Sequence, residues 1–292
     1  MDVKNAFLHG DLEEKVYMRL PPEHPQENEP NMVCKLHKAI YGLRKPPCAW
    51  YSKLSSVLEA AGFKRSHVAS SLFVRIGSAD LGVLKYFLGI EMATSNKGLF
   101  LNQRKYVLDL LDEAKMMDSK PTRTPLVSKL KLDVEGEPLT DLSTYQRLVG
   151  KLIYLTITRP DIAYAVSLIS QFMHSPTSIH WEMVKILHMY LKGSVGKGIL
   201  MKKNGSTQIM GYIDAEWPGN ALDRRSTTGF CTFVGGNFVT WKSKKQAVIA
   251  RSSAEVEYRA MASTVYELTW LKSLVTHAHC IESSVSRQNK TH

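Results

Sequence analysis

Apolar and polar side chains alternate from Ile209 to Trp217. Ile209, Gly211, Ile213, Ala215 and Trp217 fall on one side, and Met210, Tyr212, Asp214 and Glu216 on the other. A period of two predicts a strand, and Pro218-Gly219-Asn220 supplies a turn after it. Thr227 to Val234 is aromatic and β-branched, Gly235-Gly236-Asn237 turns the chain, and Phe238 to Trp241 returns it, so a three-stranded meander is expected. A helix then opens at Ser252, with Glu255 at the capping-box spacing. Val256, Ala260, Met261, Val265, Leu268 and Leu271 repeat at about 3.6 residues, which gives this helix an apolar face to lay on the strands. Asp214 on the first strand and Glu257 in the first helical turns are therefore expected to meet at one sheet edge. Paired carboxylates of that kind suit a hard divalent cation, Mg²⁺ or Mn²⁺.

The same patterns divide the rest of the chain. Trp50 to Ala61 predicts a helix stopped by Gly62. Leu84 to Met92 and Gly98 to Gln103 predict strands, and Tyr106 to Ala114 a helix. Lys120 to Asp141 is polar, carries Pro121, Pro125 and Pro138, and is expected to be an exposed connection. A helix starting at Tyr145 is broken at Thr158-Arg159-Pro160-Asp161, a second follows from Ile162 to Phe172, and a third runs from Ile179 to Leu191 with Gly193 as its stop. Arg159 and Asp161 are read as charges of a helix-breaking turn, solvated or locally paired. His180, His188, His277 and His279 are read as surface or packed histidines rather than ligands.

Composition narrows the function classes. No run among the 292 residues approaches a membrane-spanning length, and the N-terminus lacks the apolar core of a signal peptide, so an intracellular chain, cytoplasmic or nuclear, is expected. Cys34, Cys48, Cys231 and Cys280 show no C-x-x-C spacing, which points to neither zinc nor a disulfide framework. The formal net charge of +11 is more informative. Arg224, Arg225, Lys242, Lys244, Lys245 and Arg251 surround the two acids, and either a nucleic-acid partner or a solvated basic face accounts for them.

The strings GYIDAEW, DRRSTTGF, KSKKQ and ARSSAEVEYRA, in that order, resemble the start of the ribonuclease H domain in the polyprotein of copia-type retrotransposons. The resemblance implies that Asp214 and Glu257 are catalytic metal ligands, with Glu216 outside the set. DVKNAFLHGDLEEKVYMRLPPE is similar to the first catalytic motif of copia-type reverse transcriptases, which makes Asp2 a counterpart of a polymerase metal ligand and starts the chain inside that domain. YGLRKPPCAWY resembles YGLKQAPRAWY, and Lys45 stands in the region that shapes the incoming-nucleotide pocket. Between Phe73 and Leu84 the family's hairpin with two adjacent aspartates is missing, and no Asp-Asp pair occurs anywhere in the chain. The strings that carry the ribonuclease's third and fourth acids are also missing.

The expected fold is thus α+β. An incomplete reverse-transcriptase palm occupies residues 1–117, with an internal deletion near 74–83. A polar linker (118–141) and a helical thumb and connection region (142–200) follow, then a truncated ribonuclease H-like α/β domain (205–279) and a disordered tail (280–292). Two-metal phosphoryl transfer needs several carboxylates around its cations, so a degenerate polyprotein fragment that has lost the family's RNA-directed DNA polymerase and ribonuclease activities is expected, the alternatives being a residual RNA–DNA hybrid nuclease completed by another chain and a non-catalytic nucleic-acid-binding protein. The implied partners are nucleic acids, an RNA–DNA hybrid or a primer–template. Three strands on one helix are at the low end of what folds alone, and the helix is expected to keep an uncovered apolar face.

Overall fold

The computed structural model describes residues 5–21, 24–25, 32–40, 46–75, 84–126, 136–217 and 223–288. The chain divides into two units, Met1–Asp80 with His277–His292, and Leu81–Thr276.

In the first unit, strand β1 (Asp11–Arg19) pairs antiparallel with β2 (Val33–Lys38), setting Val16 opposite Leu36 and Met18 opposite Cys34. Helix α1 (Pro46–Ala60) ends where Gly62, at φ +85°, takes the left-handed conformation that glycine adopts without strain. A two-residue ladder joins β3 (Lys64–Arg65) to β4 (Phe73–Val74). Ala39 is the one fully buried apolar residue of Met1–Asp80 among the described residues.

The second unit is built on a deeper core. Strand β5 (Tyr86–Phe87) turns directly into β6 (Ile90–Ser95), and β7 (Gly98–Asn102) follows in antiparallel register. The single strand expected from Leu84 to Met92 is therefore a hairpin. Leu88 at φ +47° and Gly89 at φ +77° form its two-residue turn, and the apolar run around them hides the reversal. Helices α2 (Arg104–Glu113), α3 (Leu142–Leu155), α4 (Ala163–Ser170) and α5 (Ser178–Lys192) come next, and β8 (Gly198–Lys202) returns to pair with β7, giving a four-stranded sheet in the order β5-β6-β7-β8.

Helices α3 and α5 start where side chains satisfy free backbone donors. Asp141 accepts from the Thr144 N–H at 3.0 Å to open α3, and hydrogen bonds from Thr144 and Ser143 hold its carboxyl at about 2. His180 and Thr177 form a reciprocal cap on α5. The apolar faces of α2–α5 meet in one cluster that includes Leu110, Tyr145, Leu148, Leu152, Ile169, Leu187 and Leu191. At the break between α3 and α4, Arg159 is only 1% exposed. It grips Asp161 through Nε and Nη2 at 2.9 and 2.8 Å and donates from Nη1 to the Ser194 carbonyl at 3.0 Å. The charges are locally paired, as one of the two expectations for that turn had it, but the guanidinium is sealed from solvent.

The chain then forms β9 (Ile209–Glu216), β10 (Thr227–Val234) and β11 (Asn237–Lys245), an antiparallel meander in the order β11-β10-β9. Gly235 and Gly236, at φ +57° and +74°, make the β10–β11 turn. Helix α6 (Ser253–Gln288) follows, with the Glu255 N–H on Ser252 Oγ at 3.2 Å, and it continues into the stretch expected as a tail. The architecture is α+β, as expected. Among the described residues no helix is long and apolar enough to cross a membrane.

Candidate functional site

Because side chains alternate along a strand, the meander has two distinct faces. Gly211 marks the face against α6: a Cβ there would meet Leu268 Cδ2 at 3.1 Å and Thr264 Cγ2 at 3.4 Å. Ile213 and Ala215 share that face, opposite Phe230 and Thr228 of β10. Tyr212 marks the other face. It lies opposite Cys231, which lies opposite Trp241, and Trp241 Nε1 donates to the Thr156 carbonyl at 2.9 Å. The second side of the sheet is therefore covered at β11 by the α3–α4 region, while Tyr212 on β9 stays exposed. The sheet does not stand on α6 alone.

Asp214 has the parity of Tyr212. It sits opposite Gly229 on the edge strand β9, exposed, and on the face turned away from α6. Glu216 shares this face, where its charge helps to raise the Tyr164 hydroxyl's pKa, although burial is the larger cause. Glu257 is exposed on α6, next to Val256, which is fully buried. The two carboxylates thus belong to elements that meet through the opposite face of β9. Asp2 and Lys45 lie outside the described residues. Among the described residues no group of three or more His, Cys, Asp or Glu side chains is placed to hold a metal ion. Asp214 thus lies on the side of β9 turned away from the helix that bears Glu257.

The basic residues are brought together more clearly. Arg225, Lys242, Lys244 and Lys245 line a cleft of about 760 Å³ between β10–β11 and α6. Arg224 and Arg251 are not part of its lining, whereas Arg259 is. Two of these cations are neutralised. Lys245 pairs with Asp223 at 2.9 Å and Arg259 with Glu255 at 2.7 Å. Burial pushes the Asp223 carboxyl up, but Lys245 and the Arg225 N–H outweigh it and hold the group below the usual range. Hydrogen bonds from the Arg251 N–H and the Arg259 side chain lower Glu255. The α6 side of the cleft repeats at helical spacing from Arg259 through Ser263 and Tyr266 to Glu267. That spacing was legible, but the apolar face beside it drew the reading toward core packing.

The profile of the reverse transcriptase (RNA-dependent DNA polymerase) family matches residues 1–81. Over 94% of its length the chain is 40% identical to the retrovirus-related Pol polyprotein from transposon RE1 of Arabidopsis thaliana, of which it spans 21%. It is 46% identical over 65% of its length to the uncharacterized mitochondrial protein AtMg00810 of the same plant, covering 80% of that protein. It is also 30% identical over 92% of its length to the putative transposon Ty5-1 protein YCL074W of Saccharomyces cerevisiae, covering 100% of that protein. The chain thus spans about a fifth of the curated Pol polyproteins it matches first. No solved structure matches it.

Proposed function

Since the chain belongs to the copia-type retrotransposon Pol polyprotein family, we propose that it holds nucleic acid as part of that machinery without completing a catalytic centre of its own. It is related to RNA-directed DNA polymerase and to RNA–DNA hybrid ribonuclease, and its ligand is a hybrid or a primer–template. In this reading residues 1–117 descend from the polymerase palm, 118–141 from a linker, 142–200 from the thumb and connection, and 205–279 from the ribonuclease.

One observation carries the proposal. Asp214 occupies the face of β9 away from α6, the helix that bears Glu257. Two-metal hydrolysis needs its carboxylates converging within a few ångströms of the cations, and opposite sides of a sheet do not supply that. The charge of +11 favours a polyanion irrespective of catalysis.

The test is cleavage of a labelled RNA–DNA hybrid by the whole chain in Mg²⁺ and then Mn²⁺, with Asp214→Asn assayed beside it and binding measured on the same samples. Binding without cleavage, equal in both proteins, is expected. Cleavage by the parent that Asp214→Asn abolishes overturns the proposal, as does failure of the folded parent to bind.

A further inference from the structure

The cleft between the meander and α6 has features that a merely solvated basic face lacks. Lys242 and Lys244 form no ion pair among the described residues, whereas Lys245 and Arg259 do and Arg225 lies beside Asp223. The wall also contains a buried acceptor in need of a donor. Gln246 is 9% exposed, and its Nε2 is used twice, on Thr228 Oγ1 at 3.0 Å and on the Val256 carbonyl at 3.1 Å. These two bonds fix the amide, since the Val256 carbonyl accepts only from the NH₂ end. Gln246 Oε1 is then left buried with no donor among the described residues. A buried acceptor without a donor costs about 1–3 kcal/mol of desolvation, a cost that the packing of this wall sustains. Finally, two aromatic rings line the space, Phe230 on the strand and Tyr266 on the helix, and Tyr266 is 77% exposed.

Cations and aromatic faces together are what single-stranded nucleic acid requires: phosphate neutralisation and base stacking. The volume of about 760 Å³ is that of a pocket for one small molecule, about 300–1,000 Å³. It is large enough for an unpaired nucleotide. Glu267 lies eight residues beyond Arg259 on α6, about 12 Å along the axis. That places an acid at one end of the cleft, so the phosphate belongs with Arg225 and Lys244 at the other.

From this we infer that the cleft is a binding site for an unpaired nucleotide of a single strand. Its phosphate is met by Arg225 and Lys244, with Lys242 two residues along β11, and its base stacks on Tyr266. The inference rests on the nucleic-acid reading above and specifies a site and a strand state for it.

Fluorescence anisotropy with the whole chain tests this, using a labelled oligodeoxynucleotide, the oligoribonucleotide of the same sequence and the corresponding DNA duplex, each across a salt series. Tyr266→Ala is expected to weaken both single strands by about 5- to 150-fold, the stacking contribution of one base. Tyr266→Phe restores them, and the duplex is unaffected. Lys242→Ala/Lys244→Ala is expected to flatten the log–log salt dependence by about 0.7 for each phosphate that is no longer neutralised. Lys97→Ala/Lys203→Ala, which removes the same charge outside the cleft, serves as control.

Single-strand binding that Tyr266→Ala leaves unchanged, or that the control pair weakens as much as the cleft pair, overturns the site while leaving the broader reading intact. A parent that binds no nucleic acid removes both.

Discussion

Arg159 shows how a turn residue becomes a keystone of the helical core. Its guanidinium is held by both Asp161 oxygens and by the Ser194 carbonyl and hydroxyl, and Tyr190 donates to Asp161 Oδ2 at 2.7 Å. Burial pushes the Asp161 carboxyl up, but the pull of Arg159, Tyr190 and Lys197 is stronger in sum, and the group stays below its usual range. Arg159→Ala leaves the half-buried carboxylate and the Ser194 carbonyl without their donor. A loss of about 3 kcal/mol is expected in urea unfolding. His188 gives the pH dependence. It is 1% exposed, and burial holds its pKa below 6.5 against the opposing Val184 carbonyl contact. The unfolded chain then binds the proton more readily than the folded one, so the stability this residue contributes is complete above 6.5 and drains away as the pH falls below it. A melting-temperature series in pH should show that decline, and His188→Gln should flatten it.

At the scale of elements, the contact between β9 and α6 depends on a missing side chain. Gly211 lets Thr264 and Leu268 approach the strand, with Thr232, fully buried, on the adjoining strand. Gly211→Val inserts branched carbons within 3.1–3.4 Å of both helix residues, and strand propensity does not offset an overpacking cost of about 1–3 kcal/mol. The readout is a lower urea midpoint together with reduced hydrogen-exchange protection in α6. The β5–β6 hairpin offers the opposite case. Leu88 is 69% exposed at φ +47°, so Leu88→Asn removes a left-handed strain of about 1 kcal/mol at little cost in burial, and the melting temperature should rise.

Across the whole molecule, stability is uneven. The large buried apolar side chains belong to α2–α5, whereas the unit of residues 1–80 contributes Ala39 alone among the described residues. Local opening follows buried apolar contact. Hydrogen exchange should therefore be slowest in α3 and α5 and fastest in the β1–β2 ladder. Equal protection in the two would show that the thin core is reinforced from elsewhere. The outer side of α6 exposes Tyr258 at 71%, and Val265 at 57% and Met261 at 47%, both expected against the strands, are exposed as well because the buried face is the narrower Val256, Ala260, Thr264 and Leu271 stripe.

The sequence by itself determined the meander, the α6 start, the helices of the core and the family. Those features are local: period-two and 3.6-residue patterns, caps and glycine turns act within a few residues of chain. It also concentrated the basic residues near Asp214. Only tertiary structure decided which side of β9 carries that acid, because strand parity says which residues share a face and not which face α6 covers. It likewise decided that Arg159 is sealed, that the second side of the sheet rests at β11 on the α3–α4 region, and that Gln246 and Tyr266 line one cleft with Lys242 and Lys244. Those outcomes depend on segments far apart in the chain closing on one another, and no local pattern encodes that closure.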